Sequence, residues 1–124
     1  SKLKLVALEN TGELMPSELS GGMKKRVAIA RAMVLDPSII FLDEPSAGLD
    51  PISSVELDRL IKRLSRTLGI TFVVVTHELE SIFTIADRVI MLDKKAKGII
   101  AQGDPVELKE KSQNPWVRNF FNRQ

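Results

Sequence analysis

A short apolar run that ends in two adjacent carboxylates constrains this chain more than any other feature of its sequence. Residues 39–42 are Ile, Ile, Phe and Leu with no polar residue between them, which predicts a strand buried on both faces. Pro45 ends the strand, because proline has no N–H to donate to a sheet ladder. Asp43 and Glu44 are costly at a buried strand end unless a ligand or a reaction uses them. We therefore expect a functional site here.

The chemistry that best fits two adjacent carboxylates is that of a metal-bound phosphate. Mg²⁺ is a hard cation that binds one or two carboxylates and completes its shell with phosphate oxygens and water. The second carboxylate can then orient or deprotonate an attacking water. The alternative, which residues 39–50 alone leave open, is a strand that simply ends in a solvated acidic turn.

Composition limits the class of protein. The chain has 124 residues, of which 44% are hydrophobic and 27% charged, as expected for one small domain with a core rather than a disordered protein. The absence of Cys excludes disulfides and thiolate metal sites. No apolar run is long enough to cross a bilayer, and no signal peptide is visible. With a net charge of +2, one Trp and no Tyr, the sequence offers no reason to expect nucleic-acid binding.

Apolar periodicity and cap residues predict an alternating order of helices and strands. Helices are predicted within residues 19–37, 51–68 and 78–86 and after Asp104 and Asn114, and strands at 39–43, 70–75, 87–93 and 98–103. Because a long helix joins the first two strands, these strands are expected to be parallel. The last two form a hairpin around the polar loop 94–97. Two helix faces are expected to be apolar: Val27, Ala30, Met33 and Val34 on one helix, and Leu57, Leu60, Ile61, Leu64 and Leu68 on the other.

Three polar side chains follow the ends of the two predicted parallel strands. Asp43 and Glu44 follow the first strand and His77 follows the second. In a parallel α/β sheet, ligands bind beyond the carboxyl ends of the strands, so these residues are expected at one edge. A lone His is most often an ordinary surface or core residue, but its position beside the two acids favours a functional role.

Two predicted helix starts carry further candidates. Ser20 is a good N-cap, and Gly21 and Gly22 leave the backbone uncovered at a helix N-terminus, where free N–H groups favour phosphate. A plain capped helix is the alternative. Asp50 precedes Pro51 and is expected to cap the next helix.

Four motifs, in this order and spacing, resemble the ATP-binding-cassette (ABC) ATPases. They are LSGG at 19–22, IIFLDE at 39–44, SAGLD at 46–50 and His77 after VVVT, which are similar to the signature motif, the Walker B strand, the D-loop and the switch histidine. The resemblance implies an α/β fold of the P-loop NTPase (ABC ATPase) type. This is a truncated parallel sheet flanked by helices, followed by a C-terminal antiparallel hairpin and helices.

The resemblance implies two sets of site residues for ATP and Mg²⁺. In the first set Asp43 holds Mg²⁺, Glu44 is the catalytic general base, and His77 is catalytic through contact with the γ-phosphate. In the second set Ser20, Gly21 and Gly22 bind the γ-phosphate of ATP held by the opposite subunit, and Asp50 meets that subunit across a homodimer.

The phosphate-binding loop of such enzymes is not in this sequence. It needs Gly-Lys, and no Gly-Lys pair occurs in the chain, which opens at Ser1 without an initiator Met. Residues 1–124 are therefore expected to be the C-terminal portion of one ABC ATPase domain, without the Walker A and Q-loop part. The parent is expected to hydrolyse ATP, and this chain alone to be inactive.

The resemblance also suggests a subgroup and its partners. Met23 stands where many members have Gln, and with the tail NPWVRNFF at 114–121 it is similar to the subgroup that powers lipid transport (toluene-tolerance or Mla-like systems). This implies a peripheral subunit on the cytoplasmic face of a bacterial membrane, with transmembrane permease subunits and an MCE-type solute-binding protein. The alternatives are a non-transport ABC ATPase of DNA repair or the ribosome, and a non-catalytic module that pairs with another cassette.

The family's sheet order has a consequence for the isolated chain. It places strand 70–75 beside 39–43 and leaves its other edge unpaired, and an apolar, β-branched edge is a template for pairing. The helix faces at 27–34 and 57–68 are also expected to lose part of their cover. We expect an oligomer in which a neighbouring copy fills the gap, or a hairpin 87–103 that occupies the vacant position.

Overall fold

The computed structural model describes residues 2–6 and 20–123, except for the side chains of residues 3 and 4. It contains two compact units, Ser1–His77 and Glu78–Gln124. The elements of the described residues are α1 (Lys2–Leu5), α2 (Gly21–Ala32), β1 (Ile39–Asp43), α3 (Pro51–Leu68), β2 (Thr71–Val75), α4 (Leu79–Ile85), β3 (Val89–Asp93), β4 (Gly98–Gly103), α5 (Pro105–Lys111) and α6 (Pro115–Asn122). Leu19 of the signature-like motif lies outside the described residues.

In the first unit, β1 and β2 form a parallel pair, as the sequence predicts. The register runs from Ile39 opposite Thr71 to Asp43 opposite Val75. Because the strands are parallel and in step, their carboxyl ends meet at one edge, with the residues after Asp43 and Val75 side by side. This pairing positions the candidate site.

The prediction that β1 is buried on both faces is wrong for this chain. Ile40 is 4% exposed and packs with α2 and α3, whereas Phe41 is 75% exposed. Successive side chains of a strand point to opposite faces, and the described helices of this unit cover one face only. The other face therefore carries an exposed apolar surface, formed by Ile39, Phe41, Val73 and Val75.

The inward faces of α2 and α3 are buried, contrary to the expectation that they would be partly exposed. Their inward residues, all at most 7% exposed, form one core with β1: Ile29, Ala30, Met33, Leu57, Leu60, Ile61 and Leu64, together with Val6, Ile40 and Ile70. Two predicted members are not in it. Val34 is 60% exposed because α2 ends at Ala32, and Leu68 is 42% exposed because it is the last residue of α3.

Side-chain caps are present at four helices, and the sequence predicts two of them as caps, Ser20 and Asp50. Ser20, Asp50, Asp104 and Asn114 each accept from backbone N–H groups of the first turn of α2, α3, α5 and α6. Gly69 ends α3 with φ of 67°, a left-handed conformation that favours glycine. These ends were predictable because a cap depends on residues within one turn of it.

In the second unit, β3 and β4 form the predicted antiparallel hairpin, with an irregularity in register between Met91 and Leu92. Ile82, Val117 and Phe121 are the buried centre of this unit. The Trp116 indole N–H donates to Asp93 Oδ1 at 2.9 Å and so joins the start of α6 to the end of β3. No helix in the described part of the chain has the length and apolar character needed to span a membrane.

Candidate functional site

The site is centred on Glu44, which directly follows β1. Its carboxylate Oε1 lies 2.7 Å from Nδ1 of His77, the second residue after β2. Its other oxygen, Oε2, accepts a hydrogen bond from the Thr76 hydroxyl at 3.3 Å. The Glu44 side chain is 31% exposed and that of His77 is 67% exposed. The strand pairing thus brings together an acid and an imidazole that the sequence separates by 33 residues.

The backbone of Glu44 is itself unusual. Its φ is +46°, in the left-handed region that a glutamate rarely adopts. Such residues cost about 1–3 kcal/mol and persist only where their surroundings hold them. Here the Glu44 N–H donates to the Val75 carbonyl at 2.7 Å, and the Glu44 carbonyl accepts from the Ala47 N–H at 3.0 Å. The end of β2 therefore holds the turn that aims this carboxylate.

Asp43 is exposed at the last position of β1, next to Glu44. Its carboxylate oxygens are the ligand type that Mg²⁺ prefers. Among the described residues no group of three or more His, Cys, Asp or Glu side chains forms a metal cage. This donor set fits an Mg²⁺ ion that takes one or two carboxylates from the protein and its remaining ligands from phosphate and water.

The second predicted cluster lies at the start of α2. Ser20 is exposed, and its Oγ accepts from the Met23 N–H at 3.1 Å. The start of α2 also packs tightly on the loop 46–50, since a Cβ added to Gly21 would lie 3.2 Å from Cδ2 of Leu49. The glycine at position 21 therefore serves packing within the chain as well as exposure of backbone. No pattern in the sequence signalled this contact.

Asp50 caps α3 as predicted. Its Oδ2 accepts from the Ser53 N–H at 3.1 Å. Hydrogen bonds from the Ser53 side chain and backbone lower the pKa of Asp50 below its ordinary value, so the carboxylate stays charged on the surface. Its role as a cap is confirmed; its role in a contact between subunits stays a prediction.

The structure therefore joins the predicted residues in two groups within the first unit. Asp43, Glu44 and His77 meet at the strand ends, and Ser20, Gly21 and Gly22 lie at the start of α2 against the loop that ends at Asp50. Sequence reasoning missed Thr76 as a member of the first group. Its position between a strand end and the histidine was the available signal.

Comparisons with known proteins show the family of this chain. A family model described as ABC transporter matches residues 1–47. The intermembrane phospholipid transport system ATP-binding protein MlaF of Escherichia coli (strain K12) is 46% identical over 121 residues, 97% of this chain and 44% of that protein. The chain belongs to the ABC transporter ATP-binding proteins. The resemblance that the four motifs carry is thereby confirmed.

Other members of the ABC family match over most of the chain. The methionine import ATP-binding protein MetN of Francisella tularensis subsp. holarctica is 43% identical over 95% of the chain and 33% of that protein. The structure of CbiO1 from Clostridium perfringens, part of the ABC transporter complex CbiONQ, superposes with a TM-score of 0.81 at 35% identity, covering 89% of this chain and 43% of that one. The ABC ATPase fold is thus confirmed, and the chain spans less than half the length of these relatives.

Proposed function

We propose that this chain is the part of an ATP-hydrolysing ABC transporter subunit that carries the catalytic base, the Mg²⁺-binding aspartate, the switch histidine and the signature helix. The observation that carries the proposal is the 2.7 Å contact between Glu44 and His77 at the ends of two paired parallel strands. A structural ion pair would need neither the adjacent exposed Asp43 nor the left-handed backbone at Glu44.

The residues at the strand ends divide the hydrolysis between them. Bound ATP would supply the phosphoryl group, and Mg²⁺ would neutralise its charge. Asp43 would hold the Mg²⁺, directly or through water. Glu44 orients the attacking water and accepts its proton, and His77 contacts the γ-phosphate beside that water. The partial exposure of Glu44 suits a base that must reach solvent-derived water.

The start of α2 serves the ATP of a second subunit. Ser20, Gly21 and Gly22 offer a hydroxyl and backbone N–H groups at a helix N-terminus, which favours an anion. Asp50 directly follows Leu49, whose side chain lies close to Gly21. In this proposal two copies enclose ATP between them, and hydrolysis separates the copies to drive membrane-embedded permease subunits.

The exposed sheet face is explained if a preceding half of the domain covers it. Residues 1–124 would then be the C-terminal portion of one ABC ATPase domain, consistent with a chain that spans 44% of MlaF. Phe41 at 75% exposure and Val75 at 60% would pack against that half, which also brings the phosphate-binding loop and its lysine. Each large apolar side chain buried there would contribute about 1.5–3 kcal/mol.

The test of catalysis uses the complete gene product that carries these residues. Glu44→Gln should retain ATP binding, trap an ATP-bound dimer and lower turnover by about 10²-fold or more, because the general base is lost. Glu110→Gln, at an exposed glutamate of α5, is the matched control and should leave turnover unchanged. Near-normal turnover in Glu44→Gln would place the base elsewhere and favour a non-catalytic pairing module.

For the transported substrate, we propose phospholipid. The support is the 46% sequence identity with MlaF over nearly the whole chain. The sequence identity with MetN is 43%. The subunit would then sit at the inner face of the membrane with permease subunits and an MCE-type lipid-binding partner. The complete protein, purified from its source, should copurify with these subunits and with bound phospholipid. Its ATPase rate should change when phospholipid vesicles are added and should not change with methionine. Copurification with ribosomes or DNA-repair proteins would favour the non-transport alternative.

A further inference from the structure

Three consecutive residues at the end of β2 contact the single residue Glu44. The Val75 carbonyl accepts from the Glu44 N–H, the Thr76 hydroxyl donates to Glu44 Oε2, and His77 Nδ1 lies against Glu44 Oε1. One strand end thus contacts the backbone and both carboxylate oxygens of the residue proposed as the base.

The two side-chain contacts differ in character. His77 is 67% exposed, and the ring that lies 2.7 Å from Glu44 Oε1 is also the group that the proposed function brings to the γ-phosphate. Thr76 is half-buried, and its short β-branched side chain has few rotamers. Thr76 is therefore the more constant of the two contacts, although its distance of 3.3 Å is long for a hydroxyl donor.

We propose that Thr76 is a positioning residue for the general base. Its hydroxyl holds Oε2 of Glu44 and so fixes the rotation of the carboxylate plane while His77 engages the phosphate. Catalytic hydrogen bonds are often long before the substrate binds, and the 3.3 Å distance between Thr76 Oγ1 and Glu44 Oε2 is of that kind. This inference rests on the proposed function, because it assigns Thr76 a role only if Glu44 is the base.

The experiment compares three variants of the complete gene product with Glu44→Gln. Thr76→Val is nearly isosteric and removes only the hydroxyl, and Thr76→Ser keeps the hydroxyl. Thr84→Val is the matched control, because the Thr84 hydroxyl donates to the Glu80 carbonyl within α4. Turnover, the KM for ATP and the midpoint of thermal unfolding are measured for each.

We expect Thr76→Val to lower kcat by about tenfold with KM for ATP unchanged, since a misplaced catalytic group affects the chemical step rather than binding. Thr76→Ser should restore at least half of wild-type kcat, and Thr84→Val should retain it. If Thr76 were merely structural, Thr76→Val would lower the midpoint of thermal unfolding, and Thr76→Ser would not restore kcat.

The outcomes separate this inference from the proposed function. If Glu44→Gln abolishes turnover and Thr76→Val leaves kcat unchanged, Thr76 does not position the base and the inference is overturned. If Glu44→Gln is itself active, the proposed function fails first, and with it the premise for Thr76. An equal loss of kcat in Thr76→Ser and Thr76→Val would also overturn it, because the hydroxyl would then not be the group that acts.

Discussion

His77 Nδ1 lies 2.7 Å from Glu44 Oε1, although 33 residues separate the two along the chain. The parallel register of β1 and β2 is what brings them together, since Asp43 and Val75 stand opposite each other at the last pair of the ladder. A carboxylate oxygen only accepts, so a hydrogen bond between these two atoms has Nδ1–H as its donor. The contact holds the imidazole ring beside the carboxylate.

A charge at the start of α2 should distinguish a phosphate site from a plain cap. Ser20→Asp and Ser20→Asn both keep an N-cap of equal quality, but only the first puts a negative charge where the γ-phosphate of the opposite subunit would lie. In the complete gene product we expect Ser20→Asp to block ATP-dependent dimerisation, measured by sedimentation, and Ser20→Asn to retain most of it. If both variants dimerise normally, Ser20 is a cap and nothing more.

The contact between Asp93 and Trp116 should make the second unit sensitive to acid. Hydrogen bonds from the Trp116 indole and the Ala96 N–H lower the pKa of Asp93 below its ordinary value. A carboxyl whose pKa is lower in the folded chain stabilises the fold above its unfolded value of about 3.9, and this contribution is lost as the pH falls through the folded pKa. The chain has a single Trp, so its fluorescence reports the contact directly.

We accordingly expect the Trp116 fluorescence to change with a midpoint at a pH below about 3.9, the ordinary pKa of an Asp carboxyl. Asp93→Asn should remove this transition, whereas Asp87→Asn, at an exposed acid of the same unit, should leave it in place. A midpoint above about 4.3 would show that another carboxyl controls the signal.

Two isoleucines of α3 offer a matched test of the first unit's core. Ile61 is 2% exposed and Ile52 is 73% exposed on the same helix. Ile61→Ala should lower the free energy of unfolding by about 2–5 kcal/mol through lost burial and a residual cavity. Ile52→Ala should change it by less than about 0.5 kcal/mol. Denaturant unfolding measures both. Should Ile61→Ala fail to fold, Ile61→Val is expected to cost about 0.5–1.5 kcal/mol.

The exposed face and free edge of the β1–β2 sheet should make the isolated chain associate. Within the described residues, the sheet of the first unit consists of these two strands, so β2 has an unpaired edge beside exposed Val73 and Val75. We expect sedimentation at low micromolar concentration to find an oligomer. Val73→Lys should shift it toward monomer, because a lysine on an edge strand opposes pairing.

Val106→Lys is the control for added charge, since Val106 is 49% exposed on α5 in the other unit. It should leave the association unchanged. A well-folded wild-type monomer at this concentration, with slow hydrogen exchange across 71–75, would contradict the oligomer prediction.

Much of the architecture could be predicted from the sequence because it depends on local chemistry. Ser20, Asp50 and Gly69 set helix ends through contacts within one turn, and the caps follow from residue type alone. The parallel pairing of β1 and β2 followed from the length of the helix between them. Their carboxyl ends then had to share one edge, so Asp43, Glu44 and His77 were predictable as neighbours.

Only the tertiary structure decided which side chains touch and which faces are covered. The left-handed backbone of Glu44 and its bond from Thr76 depend on how two distant segments meet, which no spacing along the chain encodes. The packing of Gly21 on Leu49 is of the same kind. The apolar run 39–42 predicts a core on both sides of β1. Burial depends on the neighbouring elements, however, and among the described residues the helices of this unit cover only one side of β1.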